Sequence, residues 1–332
     1  DIDAEACMTT RTLASAALDP DLFAPETITA DTAEFNTKLA EMLEGVPPAY
    51  TMEPEQIRRA RREGKGWQGP IVRLDEGQDR TIPGHVGDIP IRVFTPDRID
   101  AVYLHLHGGG WVLGRADQQD PRLWSTARHA NLAVVSVDYR LAPEHPYPAG
   151  PDDCEAAAVW LTHNAQQEFG TDRLTIGGES AGGHLAAVTL LRMRDRHGFT
   201  GFSAANLVYG AYDLSMTPSQ LGKEDSLVIS TPMMQWFYNQ FVPADQRRDP
   251  DVSPLFADLR DMPPALFTVG TLDPLLDDSL FMYQRWLAAG SQADLAVYPG
   301  GLHGFNLMPI EIGKQANARA HDFLRHALNA DA

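Results

Sequence analysis

Ser180 stands where a hydroxyl can be turned into a nucleophile. It is the centre of Gly178-Glu179-Ser180-Ala181-Gly182, which follows the strand-like run Leu174 to Gly177 and leads into an apolar-periodic helical pattern. A sharp turn from strand to helix holds such a serine in strained backbone geometry with its hydroxyl exposed, and glycines two residues to either side let the strand and helix approach. The alternative is an ordinary small-residue turn, and the strand-then-helix context argues against it. A serine hydroxyl is weak until a base takes its proton, and the base needs a carboxylate to orient it. In this setting the carboxylate and then the histidine come later in the chain. The expected base is His303, in Gly300-Gly301-Leu302-His303-Gly304-Phe305 just past the last strand-like run. His321 and His326 fall on a terminal helical pattern and His184 follows the serine, where each reads as a packing or surface residue. Asp273 lies in the loop after the preceding strand and is the expected acceptor for His303. Asp277 and Asp278 compete from the same loop. They read as acidic residues in the first turn of the following helix, with Asp277 kept as a supporting carboxylate.

Attack on a carbonyl creates an oxyanion, which backbone N–H groups unshielded by side chains can receive. His107-Gly108-Gly109-Gly110-Trp111 follows an early strand-like run and meets that need. The N–H groups of Gly109 and Gly110 are favoured, joined by that of Ala181, with Gly108 as an alternative. A flexible turn is the competing interpretation. His107 is expected to brace this loop by hydrogen bonding. His105 and His107 alternate on one strand and so share a face, which also admits a metal-dependent hydrolase. No His-Glu-x-x-His pattern accompanies them, and no metal is expected.

These residues need a scaffold that holds distant loops together. Strand-like runs at Ile89 to Phe94, Val102 to His107, Ala133 to Asp138, Leu174 to Gly178, Ala205 to Tyr209, Ala265 to Gly270 and Ala293 to Tyr298 alternate with helical patterns such as Asp152 to Phe169, His184 to Arg196 and Asp277 to Ala289. That alternation predicts an α/β fold with a mainly parallel sheet covered on both faces. Two helical patterns, Asp31 to Glu44 and Glu53 to Glu63, precede it. Residues 1–80 therefore read as an N-terminal cap, 81–210 and 263–332 as the catalytic domain, and 211–262 as a second cap segment. The last contains Met233, Met234, Trp236, Phe237, Tyr238 and Phe241, which at helical spacing either line an acyl pocket or fill the cap's own core.

The 332 residues carry 27 Lys plus Arg against 45 Asp plus Glu, a formal net charge of -18 that disfavours nucleic acid and anionic membranes as partners. The one basic cluster, Arg58, Arg59, Arg61 and Arg62, lies among glutamates and reads as a solvated helix face. Two cysteines exclude a disulfide framework. The absence of an export-signal pattern and of any membrane-length apolar run predicts a cytoplasmic protein.

Taken together, His107 to Gly110, Tyr139 to Ala149, Gly178 to Gly183, Asp273-Pro274-Leu275 with Asp277, and His303-Gly304-Phe305 resemble the hormone-sensitive lipase family of α/β-hydrolases, especially its bacterial esterases. Glu179 stands where many relatives carry Asp. The resemblance implies an eight-stranded, mainly parallel sheet, a helical cap, serine carboxylesterase activity, no cofactor, and homodimers. With the absence of a long apolar lid helix, it also implies small-molecule esters of about two to six acyl carbons as substrates. Plant gibberellin receptors resemble the same family but lack the triad histidine. A receptor-like binding protein with little turnover is thus the alternative, against which the presence of Ser180, Asp273 and His303 together argues. No G-x-G-x-x-G pattern supports a dinucleotide.

Overall fold

The computed structural model describes residues 18–65 and 69–328; the first 17 residues of the expected N-terminal cap and the last four of the expected catalytic domain lie outside them. Eight strands form one sheet: β1 (Gly77–Pro83), β2 (Asp88–Phe94), β3 (Ala101–Leu106), β4 (Leu132–Val137), β5 (Leu174–Glu179), β6 (Phe202–Val208), β7 (Ala265–Gly270) and β8 (Ala293–Tyr298), in the order β1-β2-β4-β3-β5-β6-β7-β8. The β1–β2 and β2–β4 pairings are antiparallel and all others parallel. Every residue of β3, β4, β5 and β7 is buried, as continuous apolar runs covered on both faces must be.

Seven of the strands lie where the apolar patterning predicts. β1 does not announce itself: Gly-Gln-Asp-Arg-Thr-Ile-Pro is polar, and Ile82 is its one buried residue. It holds its place as an edge strand through the β2 ladder, beginning four residues inside the segment assigned to the N-terminal cap.

Helices α3 (Asp120–Ala130) and α8 (Glu311–Ala327) pack on one face of the sheet, through Leu123, Ala127 and Leu324 against Tyr103 and Val134. Helices α4 (Ala149–Phe169), α5 (Ala181–His197) and α7 (Leu276–Ala288) cover the other, where Leu161, Leu185 and Trp286 join the main core. The N-terminal helices are α1 (Ala30–Leu43) and α2 (Pro54–Arg62), and α6 (Thr231–Phe241) is the helix of the segment between β6 and β7. From β3 the chain crosses to β4 on one side of it, whereas β5 lies on the other. A sheet that reverses its winding direction in this way leaves a crevice at the strands' carboxyl ends. The loop after β3 and the turn after β5 meet in that crevice.

Candidate active site

The turn after β5 is shaped by what it touches. A Cβ on Gly178 would fall 2.1 Å from the Leu106 carbonyl oxygen, and one on Gly182 would fall 1.9 Å from it, so only glycine at both positions lets the turn sit on the end of β3. Between them Ser180 is held at φ 57°, ψ −121°, a conformation costly for a residue with a Cβ. Its N–H donates to the Val208 carbonyl at 2.9 Å, which ties the strained turn to the neighbouring strand end.

The loops after β7 and β8 are fastened to each other. Thr271 N–H donates to the Tyr298 carbonyl at 3.0 Å and Leu272 N–H to the Gly301 carbonyl at 3.1 Å. This brings two residues 30 positions apart into contact: His303 Nδ1–H donates to Asp273 Oδ2 at 2.9 Å, with Oδ1 at 3.1 Å. Leu275 N–H also donates to Oδ1, at 2.9 Å, fixing the carboxylate. Because Asp273 offers only acceptors, Nδ1 carries the proton and Nε2 is left as the acceptor. Ser180 Oγ–H donates to that Nε2 at 2.9 Å. Tyr209, at the end of β6, lays its ring 4.7 Å from the imidazole. Asp273 and His303 are buried, while Ser180 is partly exposed to the cavity above it.

The loop after β3 is braced from beneath. His107 Nδ1–H donates to the Gly108 carbonyl at 2.9 Å, its ring stacks on Tyr139 at 4.1 Å, and Tyr139 Oη–H returns a bond to the His107 carbonyl at 2.7 Å. Burial pushes the His107 pKa down to about 4, so it acts as a neutral brace. Gly110, at φ +60°, faces the Phe237 ring, where a Cβ would collide. Val112 and Leu113 N–H groups both donate to the Gly109 carbonyl, whereas the N–H groups of Gly109, Gly110 and Ala181 have no backbone acceptor among the described residues. Ala181 is the first residue of α5, whose leading N–H groups point out of the helix and favour negative charge.

His105 is committed to the protein through both ring nitrogens and His107 through Nδ1. His105 pairs with Ser136 Oγ at 2.9 Å through Nδ1 and with Glu179 Oε2 at 3.1 Å through Nε2. Among the described residues no group of three or more His, Cys, Asp or Glu side chains is arranged to hold a metal. Glu179 lies beneath the serine. Burial would raise its pKa, but Arg122, 2.5 Å away, and His105 outweigh that and hold it down to about 2.

Asp277 does not reach the histidine. Its Oδ2 accepts from Ser219 N–H at 2.8 Å, which anchors the segment between β6 and β7 to the start of α7. Asp278, fully buried beside it, accepts from Tyr212 N–H, Asp213 N–H, Thr217 Oγ1–H and Gln220 Nε2–H at 2.7 to 2.9 Å. The helix-capping interpretation of the two acids missed this anchor, because its four donors come from a stretch without a sequence motif.

A cavity of about 940 Å³ opens over Ser180 and His303. One wall is apolar, with Phe35, Leu39 and Met42 from α1 and Val228, Met233 and Phe237 from the segment carrying α6; another is polar and built largely from α2 and α3. The aromatic stretch divides between two surroundings. Phe237 faces the cavity, whereas Tyr238 and Phe241 pack with Trp111 in the core.

A strained serine on a strand-to-helix turn, linked through an imidazole to a buried carboxylate at the carboxyl ends of a mainly parallel sheet, defines the serine-hydrolase class built on the α/β-hydrolase architecture. Comparison with known proteins agrees: residues 103–307 match the family model described as alpha/beta hydrolase fold. The chain is 36% identical to the carboxylic ester hydrolase LipN of Mycobacterium tuberculosis, over 75% of this chain and 69% of that protein. It is 32% identical to an ethyl acetate hydrolase of Pseudomonas putida, over 79% of this chain and 86% of that protein. Among solved structures, a hyperthermophilic esterase from Pyrobaculum calidifontis superimposes with a TM-score of 0.79 at 31% identity, covering 88% of this chain and 97% of that one. This chain belongs to the α/β-hydrolase family, in its hormone-sensitive lipase branch of carboxylesterases.

Proposed function

We propose that this carboxylic ester hydrolase works through Ser180 as nucleophile, His303 as general base and acid, and Asp273 as the group that orients the imidazole. The observation that carries the assignment is the unbroken path Asp273–His303–Ser180, closed by contacts of 2.9 Å at each link and opening into the cavity. Ser180 Oγ adds to the ester carbonyl carbon as its proton passes to His303 Nε2. The negative charge that develops on the carbonyl oxygen is received by the N–H groups of Gly109, Gly110 and Ala181. Collapse of this intermediate breaks the bond to the alcohol oxygen, which leaves with the proton from His303. Water, deprotonated by the same nitrogen, then attacks the acyl-serine, releasing the acid and restoring the hydroxyl. Asp273 stays ionised and stabilises the imidazolium formed in each half-reaction.

α1, α2 and residues 211–262 act as a cap that shapes the substrate cavity, and the preferred substrates are small-molecule esters with short acyl chains. The cavity size supports this, being within the range that small-molecule sites occupy. No helix among the described residues is long and apolar enough to cross a membrane. Each methylene that fits adds about 0.8 kcal/mol of burial, so kcat/KM along a p-nitrophenyl ester series should climb to a maximum at about two to six carbons and then fall. A rise continuing to twelve carbons would refute the short-chain reading. Loss of turnover in Ser180→Ala, on the order of a millionfold with the far-UV spectrum unchanged, tests the nucleophile; a variant retaining several per cent of wild-type activity would refute it.

A further inference from the structure

Among the described residues, the polar wall of the cavity holds one arginine without a carboxylate partner. Arg58, Arg61, Arg62, Arg115 and Arg122 all reach it. Arg58 pairs with Glu144 at 2.8 Å, Arg62 with Glu55 at 2.6 Å, Arg115 with Asp117 at 2.9 Å and Arg122 with Glu179 at 2.5 Å. Arg61 has no carboxylate partner and no hydrogen-bond acceptor among the described residues, and burial alone governs its acidity, lowering the pKa to about 10. It therefore remains charged at neutral pH.

Its placement is enforced rather than incidental. One turn earlier on α2, Arg58 donates to the Val112 carbonyl through Nε and the Ala142 carbonyl through Nη2, each at 2.7 Å, as well as to Glu144. These bonds pin α2 to the loop that carries Gly108 to Gly110. Residues three apart on a helix share a face, so pinning Arg58 also turns Arg61 toward the cavity. A half-buried guanidinium on a cavity wall, without an ionic partner among the described residues, is a ready acceptor of an anion. Its planar fork matches a carboxylate with two parallel hydrogen bonds. The net charge of -18 repels anions at long range, which leaves the attraction to this local group.

We infer that Arg61 is a specificity-determining residue that binds a free carboxylate on the substrate, and that the enzyme acts on half-esters of dicarboxylic acids, with the apolar wall receiving the methylene spacer. Hydrolysis consumes one water, breaks the single ester bond and leaves the recognised carboxylate unchanged. The inference rests on the esterase assignment above, and the following test separates the two.

Acid release is measured by pH-stat for the monoethyl esters of succinic, glutaric and adipic acids against ethyl butyrate, ethyl valerate and ethyl hexanoate. The expected result is a higher kcat/KM for at least one half-ester than for its neutral counterpart. Arg61→Gln should raise KM for that half-ester about tenfold more than for the neutral ester, and Arg61→Lys should restore part of the difference. Wild-type enzyme that hydrolyses the ethyl alkanoates but prefers none of the half-esters overturns the inference and leaves the esterase assignment standing. Inactivity on all six overturns the esterase assignment. Should Arg61→Gln fail to fold, calorimetry on Ser180→Ala decides: monoethyl adipate binding at least tenfold more tightly than ethyl hexanoate supports the inference, and equal affinity overturns it.

Discussion

Trp111 Nε1–H donates to His184 Nδ1 at 3.1 Å, joining the residue after the three glycines to the helix that starts at the serine. His184 lies one turn along α5, and its N–H donates to the Ser180 carbonyl. The other ring nitrogen, Nε2–H, donates to the Val252 carbonyl at 2.8 Å. One buried imidazole thus couples the glycine loop, the nucleophile helix and the segment between β6 and β7. It can do so only when neutral, because a proton on Nδ1 would confront the Trp111 donor.

Stability should therefore fall in acid. Burial lowers the pKa of both His184 and His107 from 6.5 to about 4. Between those values the unfolded chain binds protons that the native protein refuses, so each ring removes roughly 1 kcal/mol per pH unit as pH falls. Asp278, raised to about 7 by burial, acts in the opposite sense from 3.8 to 7 and masks part of the effect. His184→Gln, whose amide can copy both hydrogen bonds without titrating, isolates the contribution. In urea denaturation at pH 7, 6 and 5, its stability relative to wild type should improve as pH falls. An unchanged difference would contradict the assignment.

Asp273→Asn and Asp277→Asn should separate sharply. An amide at 273 presents a donor toward His303 Nδ1 or leaves the wrong tautomer in place, and turnover should fall roughly ten-thousandfold. At 277 the lost partner is the Ser219 N–H, which makes no contact with the triad side chains, so the fall should be under about tenfold. Steady-state kinetics with one ester and both variants gives the comparison, and a reversed order would reassign the carboxylate.

Gly110→Ala should disable the glycine loop. The new methyl would stand 2.2 Å from the Phe237 ring on a backbone held at φ +60°, so the loop or the ring must move. Displacing an oxyanion donor costs about a hundredfold or more in kcat. Adding Phe237→Ala removes the collision but not the backbone strain and should recover only part of the activity. Wild-type kcat in the single variant would show that Gly110 N–H does not contribute.

Asp278→Asn tests the anchor beneath the cap segment. Four donors converge on this carboxylate, and an amide would turn N–H groups toward at least one of them. A buried mismatch of this kind costs about 2–3 kcal/mol, so Tm should drop by several degrees in differential scanning calorimetry. No change in Tm would mean that the network contributes little.

Local chemistry made much of this protein readable from its residues. Gly178 and Gly182 around Ser180, the three glycines after His107, and apolar runs long enough for buried parallel strands are short-range patterns with few structural solutions, so the turn, the loop and seven strands could be placed directly. Family resemblance supplied the eighth strand's existence, but not its position, since Gly77–Pro83 has no apolar alternation and is held by its partner's ladder. The apposition of Asp273 and His303 depends on the fastening of two loops by Thr271–Tyr298 and Leu272–Gly301 bonds, contacts between residues nearly 30 positions apart. The anchoring role of Asp278 and the pairing of Arg58 with Glu144 and of Arg122 with Glu179 are tertiary in the same way. In the sequence, Arg61 is one of several arginines on a polar helix. Only the fold decides which of them meets a carboxylate and which is left facing the cavity, because charge pairing is set by distance in space.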